Sequence, residues 1–257
     1  VGISCGGPLD SKTGVILSPP NLPGWNYIPI TGMLEKEFGV PVFLQNDADA
    51  CALAERIFGA GKNADNMIFL TFGTGMGAGL ILNRKLYTGS CNMAGEVGHI
   101  RLSQNGPVGY GKSGSFEGFC SGGGIAQLGM TAAREMLQQG KKPSFCDSME
   151  EINQITAKKI AECAHEGAAD AIDVYRRCGR MLGQGLAVLI DVLNPERIIL
   201  GSVFARSSDL LVDEMYKVLN QECLPQALAA CEIVPAELGE NLGDIAALSV
   251  AMNGMNR

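Results

Sequence analysis

The sequence contains no apolar run of about 18 residues, the length a membrane-crossing helix needs. Its opening, Val1-Gly2-Ile3-Ser4, lacks the basic, apolar, small-residue progression of a signal peptide. No membrane partner is expected, and the location expected is cytoplasmic. Basic charge is short as well: 20 Lys and Arg face 27 Asp and Glu, for a formal charge of −7 and a pI near 4.9. Binding along a phosphate backbone needs Lys and Arg gathered on one face to displace counterions, so no nucleic-acid partner is expected. The nine cysteines are odd in number and no two are spaced Cys-x-x-Cys. Neither a disulfide framework nor a zinc ribbon is suggested, and reduced, mostly buried thiols are the expectation. Histidine is scarce, with two in the chain. Repeats and low-complexity segments are absent.

What is present is ample apolar material: 46% of 257 residues, against 18% charged, enough for one or two domains with a sizeable core. Residues 1–5 and 40–45 read as short strands, separated by an excursion that includes the Pro- and Gly-rich loop Ser18 to Pro29. After Asn46-Asp47, apolar residues recur at helical spacing from Ala48 to Gly59, so these two polar residues stand where a strand hands over to a helix. Met67 to Phe72 is a strand that breaks at Gly73-Thr74-Gly75-Met76-Gly77. It resumes as Ala78 to Leu82 and turns at Asn83-Arg84 into Lys85 to Tyr87, a β-meander. Residues 88–128 are loop-rich and glycine-rich, and so long an irregular stretch is functional or disordered. Helices follow: Ala126 to Gln139, one opened by the capping pattern Ser148-Met149-Glu150-Glu151, and Ala168 to Val192, ended by Asn194-Pro195. Arg197 to Leu200 reads as a buried strand, and helices over Ser208 to Asn220 and Gly243 to Asn253 close the chain. The class is α/β, one large lobe with part of a smaller one.

Three groups of residues could carry chemistry. Glycines at alternate positions from Gly73 to Gly79 let backbone N–H groups converge on an anion, since no Cβ holds its oxygens away. The same spacing also suits a tight glycine hairpin, and the Lys-Ser/Thr of a P-loop is missing. Asp47 could accept the proton of an attacking hydroxyl during phosphoryl transfer, or could simply cap the following helix. Glu96, His99 and Glu117 put two carboxylates and an imidazole in the irregular region, where they could recognise the hydroxyls of a polyol; a structurally satisfied histidine is the alternative for His99. His165, in a polar turn, reads as a surface residue.

Read together, Gly6-Gly7-Pro8-Leu9-Asp10, Asn21-Leu22-Pro23-Gly24-Trp25, Asn46-Asp47-Ala48-Asp49-Ala50, the Gly73 to Gly79 turn, Glu96-Val97-Gly98-His99 and Ser121-Gly122 resemble the ROK family in order and spacing. That family joins ATP-dependent sugar kinases to sugar-responsive repressors on a two-lobed fold of the actin-like ATPase and hexokinase (ribonuclease H-like) type. The resemblance implies a glucokinase-like enzyme that transfers the γ-phosphoryl group of ATP, with Mg²⁺, to a hydroxyl of a hexose or N-acetylhexosamine. It implies Asp47 as the general base and Asn21, Asn46, Glu96, His99 and Glu117 as sugar-binding residues. Gly73, Thr74, Gly75 and Gly77 would face the ATP phosphates. Gly201-Ser202 would lie beside adenosine, where the family usually has paired glycines and where Ser202 departs. The lobes implied are 1–45 for the remainder of the small lobe, 46–242 for the large lobe, and 243–257 for a helix returning to the small one. A small-molecule sugar and a homo-oligomer, dimer or tetramer, are the implied partners.

Two departures are larger. Family members usually carry Cys-x-Cys-Gly-x-x-Gly-Cys-x-Glu after the histidine, with three thiolates that bind a structural zinc beside that histidine; the aligned run here is Val108-Gly109-Tyr110-Gly111-Lys112-Ser113-Gly114-Ser115-Phe116-Glu117. With no sulfur donors, no zinc is expected, and His99 is left to the sugar. The family's Asp-x-Gly-Gly-Thr strand does not precede these motifs in the 257 residues, so a fragment of a longer chain is expected, with a small lobe incomplete as given. The alternatives to a kinase are the sugar-sensing domain of a ROK regulator and a non-catalytic sugar-binding remnant. No basic helical segment favours the regulator.

Overall fold

Every residue of Met67-Ile68-Phe69-Leu70 is apolar, and successive side chains of an extended chain face opposite ways, so a strand here must be covered on both sides. The computed structural model, which describes residues 1–256, has this arrangement. Met67 and Phe69 join one core with Ile81 and Ile199, while Ile68 and Leu70 join another with Leu80, Ile198 and Leu200.

The chain begins with β1 (Gly2–Cys5), the antiparallel pair β2 (Leu9–Asp10) and β3 (Val15–Ile16), helix α1 (Ile30–Phe38) and β4 (Phe43–Asn46). β4 runs parallel to β1 and sets Asn46 opposite Cys5. A small core of Leu9, Ile16 and Leu44, with Ile3, Ile28 and Ile30 against it, holds this part together. Helix α2 (Asp47–Phe58) leads into the expected meander, β5 (Met67–Leu70), β6 (Ala78–Leu82) and β7 (Lys85–Tyr87). A 3₁₀ turn at Val97–His99 follows, then a tight hairpin of β8 (Val108–Gly109) and β9 (Lys112–Ser113), and the short helix α3 (Phe116–Phe119). The helical part comprises α4 (Gly122–Gln138), α5 (Ala157–His165) and α6 (Ala169–Leu193). Strand β10 (Arg197–Leu200) pairs parallel with β5; α7 (Ser202–Glu222) and α8 (Pro225–Ala229) separate it from β11 (Glu232–Pro235), and α9 (Leu242–Met255) ends the chain. The central sheet has the order β11-β10-β5-β6-β7. α2 and α9 cover one face; α4, α5, α6 and α7 cover the other. α9 also packs on β1 and β4.

Several boundaries differ from the expectation. α4 starts four residues before Ala126, because Ser121 Oγ accepts the Gly124 amide at 2.9 Å and caps a turn whose glycines hid it from propensity. The capping pattern at Ser148 opens only a 3₁₀ turn, Met149–Gln154: Glu151 bonds the Asp147 amide at 3.2 Å, and Ser148 makes no side-chain cap. α5 is instead capped by Thr156, whose Oγ1 accepts from Lys159 N at 3.2 Å. α7 begins at Ser202, six residues before Ser208, and is broken at Ser207 (φ −143°, ψ 30°). The closing helix spans Leu242–Met255; of the expected segment 243–257, Arg257 lies outside the described residues. Helix α1 and strand β11 were not expected. All nine cysteines are free thiols, five of them buried and Cys91 alone exposed. His165 is on the surface, 3.0 Å from Asp209. Among the described residues no helix is long and apolar enough to cross a membrane.

Candidate functional site

The candidate residues follow the carboxyl ends of strands that run parallel to a neighbour, β4 beside β1 in the small sheet and β5 beside β10 in the central one, and the carboxyl ends of parallel strands are where ligands bind in α/β folds. At the end of β4, Asn46 is the N-cap of α2 and its Oδ1 accepts the Ala48 amide at 3.0 Å. The capping task that the sequence left open for Asp47 is therefore shared with Asn46. Asp47 is the first residue of α2, is exposed, and takes the same amide on Oδ1 at 2.8 Å. Its Oδ2 faces the glycines that follow β1, 3.9 Å from where a Gly6 Cβ would stand.

The turn after β5 is held from within. Gly77 N donates to Thr71 Oγ1 at 3.0 Å, Gly73 N to Gly75 O at 3.0 Å, and Met76 N to Glu117 Oε2 at 2.9 Å. Those bonds consume the amides of Gly73 and Gly77, whereas the amides of Thr74 and Gly75 have no protein acceptor among the described residues. A Cβ at Gly75 would come within 2.8 Å of Glu117 Oε2, so a larger residue there would press on the carboxylate that holds the Met76 amide. Gly122 N donates to Gly73 O at 2.8 Å, which brings the N-terminus of α4 up to this turn with the Gly123 amide also unpartnered. Sequence reasoning did not assign Gly123 a role; the signal for it was the serine followed by three glycines, Ser121 to Gly124.

From β10, Gly201 N donates to Leu70 O at 2.9 Å and Val203 N to Phe72 O at 3.0 Å, clasping the two strand ends together. Glycine fits at 201 because a Cβ would stand 2.7 Å from Thr71 O. Ser202 follows in the left-handed region at φ 36°, and its Oγ lies 3.9 Å from the position of a Gly73 Cβ. Phe72, across the clasp, has φ 34°. Two non-glycine residues in this sparsely occupied region mark a strained site.

The carboxylates and the imidazole meet next to the glycine turn. Partial burial raises the Glu96 carboxyl above its usual range, His99 opposes the rise, and Glu117 and Asp47 add to it. Glu96 thus feels His99, Glu117 and Asp47, although Asp47 and Glu117 bound a stretch of 71 residues of sequence. The His99 ring meets the Tyr110 ring edge-on, with centroids 5.3 Å apart and planes at 89°. Lys112 Nζ donates to His99 O at 2.6 Å. Asn21 lies apart on the exposed loop before β4, and no hydrogen bond joins its side chain to this cluster among the described residues. No group of three or more His, Cys, Asp and Glu suited to a metal ion occurs among the described residues.

A family model described as ROK family matches residues 1–253. The glucokinase of Thermotoga maritima is 31% identical over 255 residues, covering 97% of this chain and 78% of that protein. A solved ROK family glucokinase from Streptomyces griseus, in complex with glucose and AMPPNP, superposes with a TM-score of 0.76 at 30% identity, over 96% of this chain and 79% of that one. A ROK family transcriptional regulator, a homolog of the E. coli MLC protein, superposes with a TM-score of 0.82 at 26% identity, over 97% of this chain but 61% of that chain. The chain therefore spans about three fifths of the regulator's length.

Proposed function

The chain belongs to the ROK family, and on that premise we propose that it is the sugar kinase of the family's glucokinase type rather than its sugar sensor. Its fold is the actin-like ATPase and hexokinase type. The observation that carries the reading is the gathering of carboxylates by the glycine turn: Glu117 takes the Met76 amide, Glu96 feels the charges of His99, Glu117 and Asp47, and Ala48, next to Asp47, lies 3.6 Å from where a Gly77 Cβ would stand.

Phosphoryl transfer asks a protein chiefly to position reactants and to stabilise charge. Asp47 would take the proton of the attacking sugar hydroxyl on the oxygen left over from the helix cap. Glu96, His99, Glu117 and the Nδ2 of Asn46 would hold the remaining hydroxyls, and Asn21 would approach from its loop when sugar is bound. The unpartnered amides of Thr74, Gly75 and Gly123 suit phosphate oxygens, since they are donors gathered at a helix N-terminus. Gly73 and Gly77 keep that turn in shape, and Gly201 and Ser202 would border adenosine. ATP supplies the phosphoryl group when bound, and Mg²⁺ its charge neutralisation. Lobe closure over the pair would exclude water. The lobes we propose are 1–45 and 46–242, with the closing helix returning to the first, as the packing of α9 on β1 supports.

A zinc ion does not fit beside His99. The aligned cysteine positions hold Val108, Tyr110 and Ser115, and the loop is tied instead by Lys112 on the His99 carbonyl and by the Tyr110 ring.

The regulator reading is favoured by one observation, the higher TM-score with the transcriptional regulator. The two readings separate in a coupled assay of ADP release with Mg-ATP and a panel of hexoses and N-acetylhexosamines. Sugar-dependent release is the expected result; sugar binding without release would move the assignment to the sensor.

A further inference from the structure

Among the described residues, Asp49 is the one carboxylate that is buried with an oxygen unpartnered. It lies in the first turn of α2, two residues beyond Asp47, and is 3% exposed. Gln45 of β4, itself 3% exposed, donates Nε2 to Asp49 Oδ2 at 2.6 Å, and Oδ1 meets no donor. A buried carboxylate is ordinarily offset by a cation or by several N–H donors. Here there is one amide donor, and the charges that reach Asp49 are those of Asp47 and Glu96, both of its own sign.

The elements packed on α2 bring no relief. β5 and β6 contain no titratable side chain. β1 contributes Cys5, whose thiol is pushed up by burial and by Asp47. The titratable group of α9, Asp244, is exposed. Within α2, the one cation, Arg56, lies in the last turn and is not among the charges that reach Asp49, while Cys51 is pushed up to about 12 by burial, Asp47 and Glu55. The Glu55 carboxylate is engaged by the amides of Ala60, Glu237 and Leu238.

We infer that Asp49 is a positioning residue of the reaction: in the resting site it holds a proton in the wall behind Asp47, and its ionisation strengthens Asp47 as the base. The proton leaves to solvent, and the negative charge that remains two residues from Asp47 favours movement of the sugar hydroxyl's proton toward that wall of the site. Burial supports this by raising the Asp49 carboxyl to about 7, with Gln45 opposing and Asp47 and Glu96 adding to the rise. The inference rests on Asp47 being the base, but the state of Asp49 can be measured without any turnover.

Carbon-13 titration of the side-chain carboxyls in the unmodified protein should give Asp49 a midpoint near 7; a midpoint in the ordinary range near 4 would overturn the inference. For a carboxyl raised in the folded protein, the stability it contributes is complete below about pH 4 and is lost as pH rises through about 7. Asp49→Asn keeps an oxygen for Gln45 and removes this loss, so its Tm should exceed that of the unmodified protein at pH 8, with the margin shrinking toward pH 5. In the unmodified enzyme the pH profile of kcat should carry an inflection near 7 that Asp49→Asn lacks. Superimposable profiles with a shifted carboxyl would mean that Asp49 titrates without acting on Asp47, which overturns the catalytic half. Absence of sugar-dependent turnover, with the titration as expected, would instead count against the kinase reading.

Discussion

Single residues carry most of the chemistry proposed here, and two can be tested one atom group at a time. Glu117 accepts the Met76 amide through Oε2 at 2.9 Å and so fixes the glycine turn. Glu117→Ala would leave that part-buried amide without an acceptor, at a cost of about 1–3 kcal/mol. It should lower the denaturation midpoint and raise the KM for both sugar and ATP. Ser202 is held at φ 36°, in a region that costs a non-glycine residue about 1–2 kcal/mol. Ser202→Gly removes that cost and adds chain entropy to the unfolded state, so a net gain of up to about 1 kcal/mol in chemical denaturation is expected. A loss of stability would mean that the serine hydroxyl makes a bond that offsets its backbone. Asp47 and the glycine turn were legible from residue types, because a carboxylate after a strand and alternate glycines each have a chemical use. Asp49 was not, since an acidic residue at the start of a helix looks like a solvated one until its burial is known.

At the scale of elements, the irregular region depends on the hairpin of β8 and β9, which brings Lys112 and Tyr110 to His99. Lys112→Met should raise the KM for sugar several-fold with little change in kcat, because His99 would be less well oriented while the reacting groups stay in place. Metal analysis of the purified protein should return far less than one zinc per chain; about one per chain would contradict the organic clasp. The strands were readable where side-chain pattern was strong: β6, β7 and β10 have the expected limits, residue for residue. Elements escaped notice where the surroundings read as loop. Helix α1 is short and starts directly after the Pro- and Gly-rich loop, so Ile30, Met33, Leu34 and Phe38, although at helical spacing, read as part of the excursion. The first turn of α4 is glycine, which propensity reads as loop although Ser121 caps it. At Ser148 the pattern misled, because Glu151 reaches the neighbouring Asp147 amide and the turn stays 3₁₀.

Across the whole molecule, the five-stranded sheet, covered on both faces, brings the glycine turn and Gly201-Ser202 together at the ends of β5 and β10, while Asp47 follows β4 of the two-stranded sheet. That arrangement is what a kinase and a sugar sensor of this family would share, so global similarity alone does not divide them. A carboxylate that acts as a base would. The most direct test is therefore to compare phosphorylation of the preferred sugar by the protein and by its Asp47→Asn variant, with sugar affinity measured by calorimetry on both. The account predicts loss of the rate by at least about a hundredfold, within the range a general base contributes, with sugar affinity nearly unchanged. Turnover close to normal in Asp47→Asn would contradict it.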